Sequence, residues 1–377
     1  MPQRLRRPWR AAALLAIVSA ACASQPAHAR NTKGINHSLP YSQSCLGSPT
    51  ESGSVTIPWQ QLRNPILSHR GSAVRDIGVR ARHGAWQVFY TSAVGTAPTW
   101  RIGSASSPTL QHWSVESSWP PQSGVAGVAS PDITQRPDGT YVVTYESNPR
   151  ETAPAGEDKI YYRTSTDLAT WSAPRRLMPG LHSSPSDRVI DPALAWTHRG
   201  LFLGYKYNPR GGSQHFEIAW SPSGSLDGPW VYVGRPDIKV FNDTIENYEF
   251  LEIDGMWHVL GTSNKLDRPW LFVLKGDPAK PSGWLNWSPG RELEIPLEQW
   301  NRAPGVPGVT FDQANSAYLC DARRVDGYFY LFYIGSKELK KFGGWGHTVM
   351  GVARSKNFVT WQVPCGPGKV STPTGCA

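Results

Sequence analysis

The chain has 377 residues and carries 38 Lys+Arg against 29 Asp+Glu, a formal charge of +9. Four of those arginines and no acid lie in residues 1–29, so the remainder carries +5, too little and too scattered for a nucleic-acid-binding surface. Charged residues at 18%, with Gly 36, Pro 33 and Trp 17, describe a chain of many turns, and the absence of any long apolar stripe of helical period excludes a helical bundle.

In chain order, Arg4, Arg6, Arg7 and Arg10 precede an apolar run, Ala11 to Ala23, that is too short to span a bilayer. Ala27-His28-Ala29 then supplies small residues for cleavage. Residues 1–29 therefore read as a signal peptide, and the expectation is a secreted protein, extracellular or periplasmic, with no transmembrane segment. Lipid anchoring through Cys22 is the weaker alternative, because Ser19 stands where a lipobox carries a large aliphatic residue. Residues 30–64, polar and rich in Ser, Gly and Pro, read as an N-terminal extension, residues 65–364 as one domain, and residues 365–377 as a tail.

Within 65–364, five units of similar length each open on a short strand. These openings are Arg75 to Val79, Ala129 to Ile133, Val189 to Leu194, Ile245 to Phe250 and Phe311 to Ser316. Each is followed by a glycine, Gly84, Gly139, Gly200, Gly255 or Gly327, and then by an aromatic strand-like run. Three units share a phrase in which Ser is followed three residues later by Leu or Phe and three later again by Trp: Ser107-Leu110-Trp113, Ser165-Leu168-Trp171 and Ser355-Phe358-Trp361. Radial repetition of such units predicts an all-β, five-bladed β-propeller.

Three units place an acid eight or nine residues ahead of the glycine: Asp76, Asp191 and Glu246. Equivalent places on inner strands converge on the propeller axis, so these carboxylates are expected to share one cavity, where like charges drive pKa values apart. An inverting glycosidase needs such a set, an acid for the leaving oxygen and a base for water. Asp before Pro is also a common turn residue, which is the structural alternative for each site taken singly. Glu249 rivals Glu246, and strand alternation places it on the opposite face. Asp132 stands as either a pocket acid or a turn cap, while Trp86, Tyr248 and Asn315 complete the candidate substrate contacts. His69, His258 and His347 lack metal-ligand spacing, so no metal or cofactor is expected.

The set resembles the five-bladed propeller glycosidases of glycoside hydrolase family 43 and its clan. Arg75-Asp76 resembles the catalytic-base motif, Ile190-Asp191-Pro192-Ala193 that of the pKa-modulating Asp, and Glu246 with Gly255 the general-acid spacing. Ser130-Pro131-Asp132-Ile133 is similar to the second-blade turn. The resemblance implies a glycosidase acting on arabinose- or xylose-containing poly- or oligosaccharides, and a monomer is expected. Ile77 replaces the family's Pro and Asn247-Tyr248 its Gly-Pro, and Gln313-Ala314-Asn315-Ser316 leaves an axial calcium ion without its His. A non-catalytic propeller that binds glycans or proteins is the alternative function.

Cys45, Cys320, Cys365 and Cys376 form an even set for an oxidising compartment, all four expected in disulfides. Of three possible connectivities, the positions favour a staple from Cys45 to Cys365 or Cys376.

Overall fold

The computed structural model describes residues 57–377 apart from 83, 96–98, 122–126, 149–158, 179, 183–186, 210–211, 239, 241–243, 254, 264–267, 297, 302–315, 319–327, 337, 339–346 and 374. The described residues contain strands and three short 3₁₀ turns and no α-helix. Five four-stranded sheets form a five-bladed β-propeller, each sheet running up and down in sequence order. Blade 1 holds β1 (Ser72–Arg82), β2 (Ala85–Val94), β3 (Thr99–Ser107) and β4 (Ser114–Trp119). Blade 2 holds β5 (Gly127–Gln135), β6 (Tyr141–Asn148), β7 (Ile160–Ser165) and β8 (Arg175–Arg176). Blade 3 holds β9 (Arg188–Thr197), β10 (Gly200–Asn208), β11 (His215–Ser221) and β12 (Val231–Gly234). Blade 4 holds β13 (Ile245–Ile253), β14 (Met256–Ser263), β15 (Arg268–Val273) and β16 (Arg291–Glu292), and blade 5 holds β17 (Ser316–Tyr318), β18 (Phe329–Gly335), β19 (Val349–Ser355) and β20 (Trp361–Gln362). A final hairpin joins β21 (Ser371–Thr372) to β22 (Gly375–Cys376).

Second strands are covered on both faces by neighbouring blades, which is why their sequences are continuous apolar runs without alternation. Leu201, Phe202 and Leu203 on β10 and Tyr330 to Ile334 on β18 are fully buried. Aromatic rings fill the wedges between blades: Trp86 packs 5.3 Å from Phe332, and Phe202 stacks 4.1 Å from Trp284. Truncating a buried ring of this kind costs about 3–5 kcal/mol.

The Ser-x-x-Leu/Phe phrase is the turn from the third strand toward the fourth. The hydroxyls of Ser107 and Ser165 accept the N–H of Leu110 and Leu168 at 2.9 and 2.8 Å. Leu110, Leu168 and Phe358 each take a left-handed φ, between 57° and 67°. Blade 3 has the same turn in another spelling, Ser221-Pro222-Ser223-Gly224, with Gly224 at φ 70° and its N–H donated to the Ser221 carbonyl.

The segment ahead of β1 closes the ring on blade 5. Leu67 bridges Met350 on β19, and Arg63 bridges Cys365. Asn64 fastens this junction: its Oδ1 accepts the Val352 N–H at 2.9 Å, and its Nδ2 donates to the Val352 carbonyl at 3.0 Å and to Glu298 Oε2 at 2.7 Å.

Cys365 and Cys376 form a disulfide with each other across a separation of 11 residues. A staple from Cys45 to either of them is therefore ruled out: the β21–β22 hairpin folds Cys376 back onto Cys365, and the bridge closes a local C-terminal loop. Cys45 and Cys320 lie outside the described residues.

Candidate active site

Each of the inner strands β1, β5, β9 and β13 carries a one-residue register shift against its neighbour, at matching places. The extra residue is Asp76, Ser130, Asp191 or Asn247, with φ of 42°, 51°, 51° and 55°. Left-handed backbone is unfavourable for a residue with Cβ, least so for Asp and Asn, whose short polar side chains bond locally. Such bulges re-aim side chains and recur beside functional sites.

Asp76 and Asp191 thus occupy equivalent positions. Glu246 does not: it stands one residue before the bulge, in the register of Arg75, Ala129 and Ile190. The expected three-way equivalence is corrected by that one step. The bulge also overturns the expectation for Glu249. Glu246 pairs with Thr262 and Glu249 with Leu260, partners two residues apart, so both acids lie on one face of the sheet.

The residue that joins blades 3 and 4 is Lys206 of β10. Its Nζ donates to Glu246 Oε2 at 2.5 Å and to Asp191 Oδ2 at 3.2 Å, and the Asn247 N–H donates to the same Asp191 oxygen at 3.3 Å. Lys206 is only 4% exposed. Burial alone pulls its pKa down, but the carboxylates of Asp191 and Glu246 more than offset this and hold it above the usual lysine value, so it stays an ammonium. Sequence reasoning missed Lys206; its signal is one cation between Tyr205 and Tyr207 in an otherwise apolar second strand.

The same second-strand register position is Thr91 in blade 1, Glu146 in blade 2 and Thr262 in blade 4. Thr91 Oγ1 accepts the N–H of Ser130 at 2.8 Å, so here too a second strand reaches the bulge of the next blade. Glu146, buried at this level, is a further acid that went unnoticed in the sequence.

Asp76 sits buried on the β1 bulge. Asp132 follows the β5 bulge, opposite Thr144, as a strand residue rather than a turn cap. It keeps partial exposure, yet burial pushes its carboxyl up to about 7 against the opposing pull of Arg80 and the N–H groups of Ile133 and Leu194. Trp86 and Tyr248 are corrected as substrate contacts. Trp86 is fully buried among blade 5 aromatics, and Tyr248 packs 4.2 Å from Phe216 while its hydroxyl donates to the Ile245 carbonyl at 2.6 Å. Both fill inter-blade wedges, where the apolar ring area is worth most. Asn315 lies outside the described residues.

No family model matches the chain, and no curated protein matches it. Solved structures do share its fold. An α-L-arabinofuranosidase from Lactobacillus brevis superposes with a TM-score of 0.54 at 14% identity, over 79% of this chain and 94% of that one. A glycosyl hydrolase from Bacteroides ovatus gives 0.52 at 14% identity, over 85% and 96%. A sucrose-6-phosphate hydrolase from Lactobacillus gasseri gives 0.55 at 16% identity, over 81% of this chain and 63% of that one. At such identities the likeness establishes the propeller fold.

Proposed function

We propose that this propeller is an exported, inverting glycoside hydrolase acting on arabinose- or xylose-containing glycans. The observation that carries the reading is the pairing of Asp191 and Glu246, from separate blades, on one buried ammonium, with Asp76 on the matching bulge of β1. Buried charge is costly, and its concentration at strained backbone on the inner strands marks a place where chemistry is the return. The fold's occurrence among glycosidases supports the choice of reaction by analogy.

In this scheme Glu246 protonates the glycosidic oxygen while Asp76 takes a proton from the water that attacks the anomeric carbon from the opposite side. The C–O bond to the leaving sugar breaks as the new bond to water forms, and the configuration inverts. Asp191 keeps Glu246 oriented for donation. The test is incubation with arabinans, arabinoxylans and aryl furanosides, with product anomers followed by NMR. Inverted product should appear first, Asp76→Ala should abolish turnover on every substrate, and Glu246→Ala should lose about 10²- to 10⁴-fold on polysaccharide but less on activated aryl glycosides. First-formed product of retained configuration, or full polysaccharide cleavage by Glu246→Ala, overturns the assignment.

A further inference from the structure

Lys206 transfers no proton in the scheme above, yet it is the contact that joins two of its acids. The equivalent position holds threonine in blades 1 and 4, so the propeller does not need a lysine there. Taking an ammonium to 4% exposure forfeits nearly all of its hydration. That cost is offset only by the two carboxylates it touches, and among the described residues no third acceptor reaches its Nζ.

A carboxyl group has two oxygens, and the ammonium sits on Oε2 of Glu246. We propose that Lys206 is the positioning residue of the acid: it anchors Glu246 through Oε2, so that Oε1 delivers the proton, and it couples Asp191 to that group. The proposal rests on the hydrolytic reading. To act as donor Glu246 first takes up a proton, and in that state it accepts a hydrogen bond from Lys206 while the Asp191 carboxylate balances the ammonium. As the proton passes from Oε1 to the glycosidic oxygen and the C–O electron pair leaves with the departing sugar, negative charge grows on Glu246 beside a fixed positive charge. Lys206 keeps its own protons throughout. Its contact is thus stronger in the transition state than in the ground state, the condition for raising kcat rather than lowering KM.

The experiment compares wild type, Lys206→Gln and Lys206→Arg on an arabinan and on a 2,4-dinitrophenyl arabinofuranoside, with thermal unfolding measured in parallel. The dinitrophenyl group departs without protonation. Lys206→Gln is expected to lower kcat on arabinan about 10²-fold, to cost less than about tenfold on the aryl glycoside, and to leave KM nearly unchanged. Lys206→Arg, which keeps the buried charge paired with both carboxylates, should show the same selective loss in smaller measure, and it carries the test if the thermal unfolding shows the glutamine variant unfolded. Equal losses on both substrates, or unchanged kcat on arabinan in both variants, overturn the role of Lys206 while leaving the glycosidase intact. Wild type that cleaves no glycoside overturns the proposed function, and this inference with it.

Discussion

At the scale of single residues, Asp132 gives the clearest dependence on pH. Its carboxyl ordinarily titrates at 3.8 and is pushed to about 7 in the folded chain. Between those values the native state binds a proton that the unfolded state has released, so stability falls as pH rises through this window. The contribution is fully present below pH 3.8 and is lost once pH passes about 7. Asp132→Asn removes the titration, so its unfolding midpoint in urea should gain on wild type as pH rises from about 4 to about 7 and level off above that. Parallel pH profiles for the two proteins would refute the raised pKa. Sequence spacing pointed to Asp76 and Asp191 because each bulge lies eight or nine residues before the hairpin glycine. That one-residue variation misplaced Glu246, and the parity change at the bulge misplaced Glu249. Lys206 was out of reach because its partners come from a different strand and a different blade, a contact no local pattern encodes.

Among the elements, the segment from Asn64 to Leu67 and strand β19 form the junction that the ring depends on. Asn64 is buried and satisfies both backbone groups of Val352, so Asn64→Ala strands a buried N–H and a buried carbonyl together. A loss of about 2–6 kcal/mol is expected in denaturant unfolding, since each of the two stranded groups costs about 1–3 kcal/mol. A change below about half a kcal/mol, the range of ordinary surface substitutions, would show that the junction carries little of the stability. The turns were more legible than this junction. Three wrote the same Ser-x-x-Leu/Phe phrase, and the fourth escaped notice because Gly224 takes the left-handed position that Leu110, Leu168 and Phe358 occupy elsewhere.

For the molecule as a whole, five repeated units gave the propeller away, because each sheet is local in sequence and its strand order is the chain order. The disulfide was not legible, because cysteine count leaves the connectivity open and the hairpin that turns Cys376 back is only two residues a side. Closing an 11-residue separation stabilises by about 3 kcal/mol. Cys376→Ser should therefore lower the unfolding midpoint to about that extent while leaving the proposed glycoside turnover unchanged. A loss of turnover in a variant that remains folded would connect the C-terminal loop to the candidate active site.

The contact between Asn64 and Val352 joins residues 288 apart in sequence. Blades can assemble one by one from local hairpins, but the ring cannot shut until the third strand of the last blade exists to receive the segment that came first. Contacts of such separation form late, after the entropy of a long loop has been lost. A chain emerging from its N-terminus thus holds the segment around Asn64 without its blade 5 partner until nearly all the rest has followed, and the order of synthesis itself keeps the ring open until the end.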